Sequence, residues 1–298
     1  MTRSRWAPYL FLLPFTILFL LFLVAPIGVA IWNSLHATKS SGLGFGTART
    51  VFVGVENYSR AFRDSDFVTG FGRVALFGAV QVPFMMIVAA GLALLFDSAV
   101  LKAKRFFQFA VFLPYAVPGV IAALLWGFLY QPSVSPLVGF LRDIGISADL
   151  LAPGTILWSI ANVSVWSYTG INMIILYTAL QSVPREMYES ARIDGAGQLR
   201  IAWSIKLPMI APAVVLTTLS SIIGTLQLFN EPQVLKSITA NIASDYTPNM
   251  AVYATATLGQ NQNLSSAMAV ILGAVTLTVS LIVLRLTNRR TMVADDAV

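Results

Sequence analysis

The stretch Ser182–Pro208, SVPREMYESARIDGAGQLRIAWSIKLP, is charged and turn-rich where the sequence on either side is apolar. Ser182 is a candidate N-cap, Pro184 and Arg185 open a helix, and Glu186 falls in its first turn, where the helix dipole favours a carboxylate. Met187, Ala191 and Asp194 share one side, and Glu189 lies within helical reach of both Arg185 and Arg192. Asp194-Gly195 is a turn signal, because glycine takes a positive φ without steric cost. A second short amphipathic piece carries Leu199, Ile201, Ala202, Trp203 and Ile205, and Pro208 and Pro212 introduce the next apolar run. The pattern predicts a helix–turn–helix held between two apolar segments. Spacing alone allows two readings, an amphipathic helix lying on lipid and a docking element for a cytoplasmic partner.

Outward from this segment the chain is built for a bilayer. Of 298 residues, 57% are hydrophobic and 11% charged, against about 25% charged in an ordinary soluble domain. Charge is absent from Trp6 to Thr38, from Val74 to Phe96 and from Phe106 to Leu141. A hydrocarbon core roughly 30 Å thick is crossed by about 20 helical residues, and helices satisfy their own backbone hydrogen bonds there. These runs predict an all-α membrane protein with six transmembrane helices, at approximately 8–32, 68–96, 106–130, 155–180, 209–230 and 264–287. The first resembles a signal peptide, with Gly28-Val29-Ala30 as a loose cleavage site, but it is too long for a typical apolar core of one; a retained helix is expected. Connectors at about 33–67, 131–154, 181–208 and 231–263 are too short for a soluble domain, so 1–298 reads as a single transmembrane domain.

Basic residues set the expected orientation. With the N-terminus in the cytoplasm, twelve of the nineteen lysines and arginines fall inside, among them Arg3, Arg5, Lys102, Lys104, Arg105, Arg285, Arg289 and Arg290. The positive-inside rule then places both termini in the cytoplasm. Pro83, Pro114 and Pro118 interrupt the second and third spans and predict kinks.

Several chemistries are unsupported. There is no cysteine, and the single histidine, His36, sits in a polar loop, so no metal cluster is visible. No Gly-x-x-x-x-Gly-Lys-Ser/Thr occurs; Gly42-Leu-Gly-Phe-Gly46 lacks the lysine and reads as an external loop. The net charge of +6 comes from residues flanking apolar runs, without the aromatic-interleaved patch of a nucleic-acid binder. The spans hold almost no carboxylates, which argues against a membrane enzyme, and no internal repeat marks a secondary transporter.

Polar side chains at membrane depth mark the candidate pathway. The fourth span carries Asn162, Ser164, Trp166, Tyr168, Thr169 and Asn172, with Asn162, Trp166 and Thr169 on one helical face. The fifth carries Gln227, then Asn230 and Glu231 towards its outer end, and the second carries Gln81. Amides both donate to and accept from hydroxyls, and aromatic faces stack on sugar rings, so the set suits an uncharged polyol. Interhelical hydrogen bonding and interfacial aromatics are the plainer alternative. Arg73, near the outer end of the second span, is the one basic candidate for an anionic cargo.

The pattern Glu189-Ser190-Ala191, three residues, Gly195, nine residues, Ile205-Lys206-Leu207-Pro208 resembles the EAA loop of binding-protein-dependent ABC permeases, with Ser190 in place of the usual alanine. The extended form Val183-Pro184 through Ala191-Arg192-Ile193-Asp194-Gly195-Ala196 is similar to that of sugar permeases. The resemblance extends to Leu12-Leu13-Pro14, to Phe52-Val-Gly-Val-Glu-Asn-Tyr58 and to Phe112-Leu-Pro-Tyr115. It implies a type I ABC importer bundle whose cytoplasmic coupling helix, within about 182–208, docks on an ATPase subunit. Glu189 would contact the ATPase or brace the loop, Ser190 and Ala191 would allow close approach, Asp194 and Gly195 would form the turn, and Ala196 completes the coupling set. It further implies no enzyme activity and no cofactor in this chain. ATP and Mg would be used by an ABC ATPase dimer, working with a second permease subunit and an extracytoplasmic substrate-binding protein in a bacterial cell membrane. The early first span and Val-Pro-Arg-Glu look like the larger maltose-type partner. Gly224–Leu235 resembles cellobiose-type permeases, which implies a di- or oligosaccharide; glycerol phosphate is the alternative cargo.

Overall fold

The computed structural model describes residues 7–39, 49–98, 101–145 and 149–295. Arg3, Arg5 and the Gly42–Gly46 loop lie outside the described residues. Five runs are long and apolar enough to cross a membrane: Tyr9–Ser34, Ser65–Asp97, Ile156–Gln181, Ala211–Leu235 and Gln262–Leu286. A bent helix pair makes a sixth if it counts as one span. The chain is therefore a multi-pass, helical membrane protein, with span positions close to those read from the apolar runs. Backbone contacts group the chain into two compact units, one of residues 1–69 and 248–275, the other of residues 70–247 and 276–298.

In the first unit, helix α1 (Ala7–Phe19) passes through a π turn at Leu20–Val24 into α2 (Ala25–Ser34). Leu10 through Val24 stand exposed along this run, as expected of a surface solvated by lipid. Strands β1 (His36–Lys39) and β2 (Arg49–Phe52) pair antiparallel, His36 opposite Phe52, a hairpin within the connector expected after the first span. His36 is correspondingly not in a polar loop but buried: its ring stacks on Trp32 at 4.2 Å and meets the edge of Phe52 at 5.4 Å. In α3 (Glu56–Arg63), the Asn57 amide donates to the carbonyls of Ser34 and His36 at 2.9 and 2.8 Å, fixing the end of α2. Later in the chain, α14 (Pro248–Thr257) and α15 (Gln262–Asp295) belong to this unit through residue 275.

The second unit is built around α4 (Ser65–Asp97) and α8 (Ile156–Gln181). Val82, Met86, Ala89, Ala93 and Phe96 of α4 pack with Met173, Leu176 and Leu180 of α8, joined by Val183 and Ile210. Ala89 and Ala93 are fully buried in this seam, small residues of the kind that helix contacts in lipid favour. The third span is two helices, α5 (Lys104–Ala116) and α6 (Gly119–Tyr130), bent by 96°. The prolines predict a kink; the observed right-angle break has a local cause. Val117 precedes a proline and is extended at ψ 126°, and Pro118 caps α6 without an N–H to continue the ladder.

Helix α7 (Pro136–Asp143) comes next, capped by the Ser135 hydroxyl, which accepts from the Val138 N–H at 3.1 Å. Beyond α8 come α9 (Arg185–Ile193), α10 (Gln198–Ile201), a second π turn at Ala202–Lys206 and the short α11 (Leu207–Met209). The fifth span is α12 (Ala211–Leu226), a break at Gln227–Phe229, and α13 (Asn230–Leu235), which packs on α6.

Helices α5 and α8 touch at Gly170. A Cβ there would lie 2.8 Å from the Cα of Phe112 and overlap the Val111 carbonyl oxygen, whereas a Cβ at Gly91 meets nothing within 4 Å. Both positions are helical, where alanine is otherwise favoured over glycine by up to about 1 kcal/mol. Gly170→Ala should therefore lower the thermal midpoint of the detergent-purified protein, at a cost of about 1–3 kcal/mol from overpacking. Gly91→Ala should leave it unchanged or raise it.

Candidate functional site

Two places in the second unit concentrate polar side chains. The first is a cavity of about 390 Å³ between α4, α5, α8, α12 and the α12–α13 break. Helix α8 contributes Ser164, Tyr168 and Asn172, α4 contributes Gln81 with Phe77 and Met85, and α12 contributes Ser220, Ser221 and Thr225. The unwound turn places Gln227 and Phe229 at the wall, and the first turn of α13 adds Asn230 and Glu231. Irregular backbone at membrane depth is tolerated where it lines such a cavity. Tyr115 enters from the last turn of α5, its ring 6.2 Å from that of Tyr168 in an edge-on arrangement.

Polar groups in the wall are partly committed. The Thr225 hydroxyl donates to the side-chain amide oxygen of Gln81 at 3.3 Å. The Asn172 amide donates to the Tyr168 carbonyl at 3.0 Å and lies 3.7 Å from the Met85 sulfur. A thioether is a weak acceptor, so a cargo hydroxyl can replace it, and the Asn172 side chain keeps capacity both to donate and to accept. Glu231 is 6% exposed and is the only carboxylate of the lining, in which no lysine or arginine occurs. Arg73, the basic candidate from the sequence, is engaged elsewhere. Its guanidinium lies 4.1 Å from the Tyr246 ring centroid and donates to the Tyr246 carbonyl. Burial pushes the Tyr246 phenol above its ordinary pKa, with Arg73 acting in the opposite sense.

Of the eight expected pathway residues, Tyr168, Asn172, Gln227, Asn230 and Glu231 line this cavity and Asn162, Trp166 and Thr169 do not. The Asn162 amide donates to the Tyr130 hydroxyl at 2.8 Å, and that hydroxyl donates to the Ser159 carbonyl at 3.0 Å, tying α8 to the end of α6. Trp166 meets the ring of Trp126 edge-on at 5.9 Å. Thr169 is buried and bonds back to the Val165 carbonyl at 2.6 Å. These three residues therefore make their contacts away from this cavity, Thr169 buried, Trp166 half-buried and Asn162 exposed. Tyr115 and the Ser220-Ser221 pair are wall residues that periodicity did not single out. Two adjacent hydroxyls within an apolar span, and a tyrosine after a helix-breaking proline, were the available signals.

The second place is the segment after α8. Ser182 does not cap α9; its hydroxyl donates to the Ala179 carbonyl at 2.7 Å and closes α8, leaving Pro184 at the N-cap of α9. Helix α9 ends with Gly195 at φ +79°, the Gly195 N–H donating to the Arg192 carbonyl at 3.0 Å and the Ala196 N–H to Ala191 at 2.9 Å. Both bonds define a Schellman stop, which needs the left-handed residue that glycine supplies. Glu189 stands exposed. Its expected pairing with Arg185 or Arg192 does not form: among the described residues the one ion pair joins Lys206 to Asp97. Ser190 donates weakly to the Met187 carbonyl at 3.3 Å. Ile193, Leu199 and Trp203 are 86%, 75% and 68% exposed, an apolar surface on a segment otherwise rich in charge.

A bundle of membrane-spanning helices with a polar cavity and a short exposed helical segment is the outline of a transport subunit. The family of binding-protein-dependent transport system inner membrane components matches residues 87–293. The sn-glycerol-3-phosphate transport system permease protein UgpA of Salmonella choleraesuis is 35% identical over 211 residues, 70% of each chain. That of Pectobacterium atrosepticum is 30% identical over 291 residues, 97% of this chain and 96% of its own. A chain of a bacterial alginate ABC transporter, solved in complex with an alginate pentasaccharide-bound periplasmic protein, superimposes with a TM-score of 0.81 at 21% identity, covering 96% of this chain and 95% of its own. The chain belongs to the family of binding-protein-dependent transport system inner membrane components. It is a membrane permease of an ABC importer, which works with a substrate-binding protein and an ATPase, and ATP hydrolysis lies with the separate ATPase.

The two faces of α8 separate experimentally. Asn162→Leu removes a hydrogen bond worth about 1 kcal/mol and should lower the thermal midpoint of the purified protein while leaving uptake per assembled importer unchanged. Tyr168→Leu, at the cavity wall, should do the reverse.

Proposed function

We propose that this permease carries an uncharged sugar, a di- or oligosaccharide, through the pathway that includes the α4–α8–α12 cavity. The observation that carries the reading is the set of polar side chains in an otherwise apolar wall: amides, hydroxyls, two tyrosines and one buried carboxyl, with no basic side chain. A phosphate or uronate cargo entering a low-dielectric site calls for Arg or Lys opposite it. The cargoes in the names of the relatives, glycerol 3-phosphate and alginate, are both anionic. Here the only basic residue that the sequence offers near the pathway, Arg73, is held at Tyr246. Carboxylate and amide acceptors bond sugar hydroxyls, and Tyr115 and Tyr168 offer aromatic faces to the apolar side of a pyranose.

In this reading 1–298 acts as one permease domain beside a second permease subunit. Its α9 segment docks on one member of an ATPase dimer that uses ATP and Mg. Glu189 contacts the ATPase or braces the loop; Ser190 and Ala191 leave room for close approach; Asp194 and Gly195 end the helix so that the segment turns back; and Ala196 belongs to the same coupling set. The docking segment then lies in the cytoplasm, as do both termini, in agreement with the distribution of basic residues. The extracytoplasmic binding protein delivers sugar at the opposite end.

The test is uptake in a strain lacking this permease and restored with it, using labelled cellobiose, maltose, cellotriose and sn-glycerol 3-phosphate as probes. A neutral sugar should be taken up, and glycerol 3-phosphate should not. Uptake of glycerol 3-phosphate with no response to the neutral sugars would reverse the assignment of cargo.

A further inference from the structure

We propose that Asp97 is the positioning residue that makes the 182–208 segment rigid with two membrane spans, so that α4, α8 and the docking helix move as one body. The inference rests on the docking reading of α9. Asp97 is the last residue of α4. One carboxylate oxygen accepts from the Gln181 amide, at the end of α8, at 2.7 Å. The other pairs with the ammonium of Lys206, on the return leg of the segment. That ammonium also lies 5.0 Å from the ring centroid of Tyr188, in α9, within reach of a cation–π attraction. The ends of α4 and α8 and the leg beyond the docking helix thus meet at one carboxylate, and the docking helix joins them through the Lys206 ammonium.

The backbone is arranged to deliver Lys206 to this point. Residues 202–206 form a π turn, with the Leu207 N–H bonded to the Ala202 carbonyl five residues back. One extra residue in a turn rotates the next stretch of helix by about 100° relative to an uninterrupted one, and such turns recur at functional positions. Both charged side chains are only 11% exposed. At that burial either charge left alone is strongly disfavoured, unlike a surface pair that solvent screens. The clamp also adjoins the packed core. Ala93 and Phe96 of α4, Leu180 of α8, Val183 and Ile210 are buried together, with Tyr188 and Leu207 packed against them. The Tyr188 hydroxyl is buried without a hydrogen-bond partner, and its pKa is raised by burial and by the Asp97 charge, so the phenol stays neutral against the cation.

Its mechanical consequence comes from which helices are joined. Helices α4 and α8 supply Gln81, Met85, Tyr168 and Asn172 to the cavity wall. A loop closed at its base by Lys206 and Tyr188 does not fold under load, so displacement of α9 passes to the wall helices.

The chain has no cysteine, so nitroxides at Leu95→Cys on α4 and Ile193→Cys at the end of α9 are its only labels. Their distance distribution is measured by double electron–electron resonance in the reconstituted importer, without nucleotide and with ATP plus the binding protein. A single narrow distribution, the same in both states, is expected. Asp97→Asn and Lys206→Met should each broaden it, and the exchanged pair Asp97→Lys/Lys206→Asp should narrow it again. Overturning results are a wild-type distance that changes with nucleotide, or single variants as narrow as the wild type even where their thermal midpoint falls. Co-purification of the ATPase subunits with the wild type tests the docking reading separately, and the nucleotide-free comparison of the variants stands without it.

Discussion

Every backbone polar group of this chain that enters hydrocarbon must find its partner inside the protein, because lipid offers none. That constraint explains where helices can stop. The two backbone breaks at membrane depth, at Val117–Pro118 and Gln227–Phe229, fall on the second unit, and the second of them borders the cavity. The Gln227 N–H is taken up by the carbonyls of Ile223 and Gly224, each at 3.2 Å, and the Leu228 N–H by Thr225 at 3.1 Å. The Thr247 hydroxyl covers the Leu228 carbonyl at 2.8 Å. The helix opens, but its polar groups are largely accounted for, and the opening brings Gln227, Asn230 and Glu231 to the wall of the cavity.

The same requirement distinguishes polar residues that hold the bundle from those free to meet a cargo. Asn162 spends its amide on Tyr130, and Thr169 spends its hydroxyl on its own helix. Tyr168 and Asn172, a turn away, face the cavity with capacity left over. A chain that binds an uncharged sugar needs such unspent hydrogen-bonding groups more than it needs charge, and the wall offers no basic side chain to an anion.

Much of this was legible in the residues. Uncharged runs of more than twenty residues located the spans to within a few positions, because bilayer thickness leaves little freedom in length. Gly195 was readable as a turn because a helix stop of this kind requires a positive φ. The spacing from Glu189 to Pro208 carried the family. The illegible features depend on neighbours. Helical periodicity put Asn162, Trp166 and Thr169 on one face but could not say that α6 packs there. Pro114 and Pro118 announced a kink, and the extended Val117 before Pro118 makes it a 96° break; that α5 then seats on Gly170 and α6 on α13 was not readable. Lys206 occupies the variable place in Ile-x-Leu-Pro, so the motif gave no reason to single it out; only the π turn and Asp97 give it a role.

Transmission of ATP-driven motion from the exposed α9 segment to the pathway is tested most directly by measuring ATP hydrolysis and sugar uptake together. The reconstituted importer is compared as wild type, Glu189→Ala and Gly195→Pro. Loss of both activities in the variants, with the membrane subunits still assembled, is the predicted result. Uptake at the wild-type rate in both variants would contradict it and remove the 182–208 segment from the mechanism.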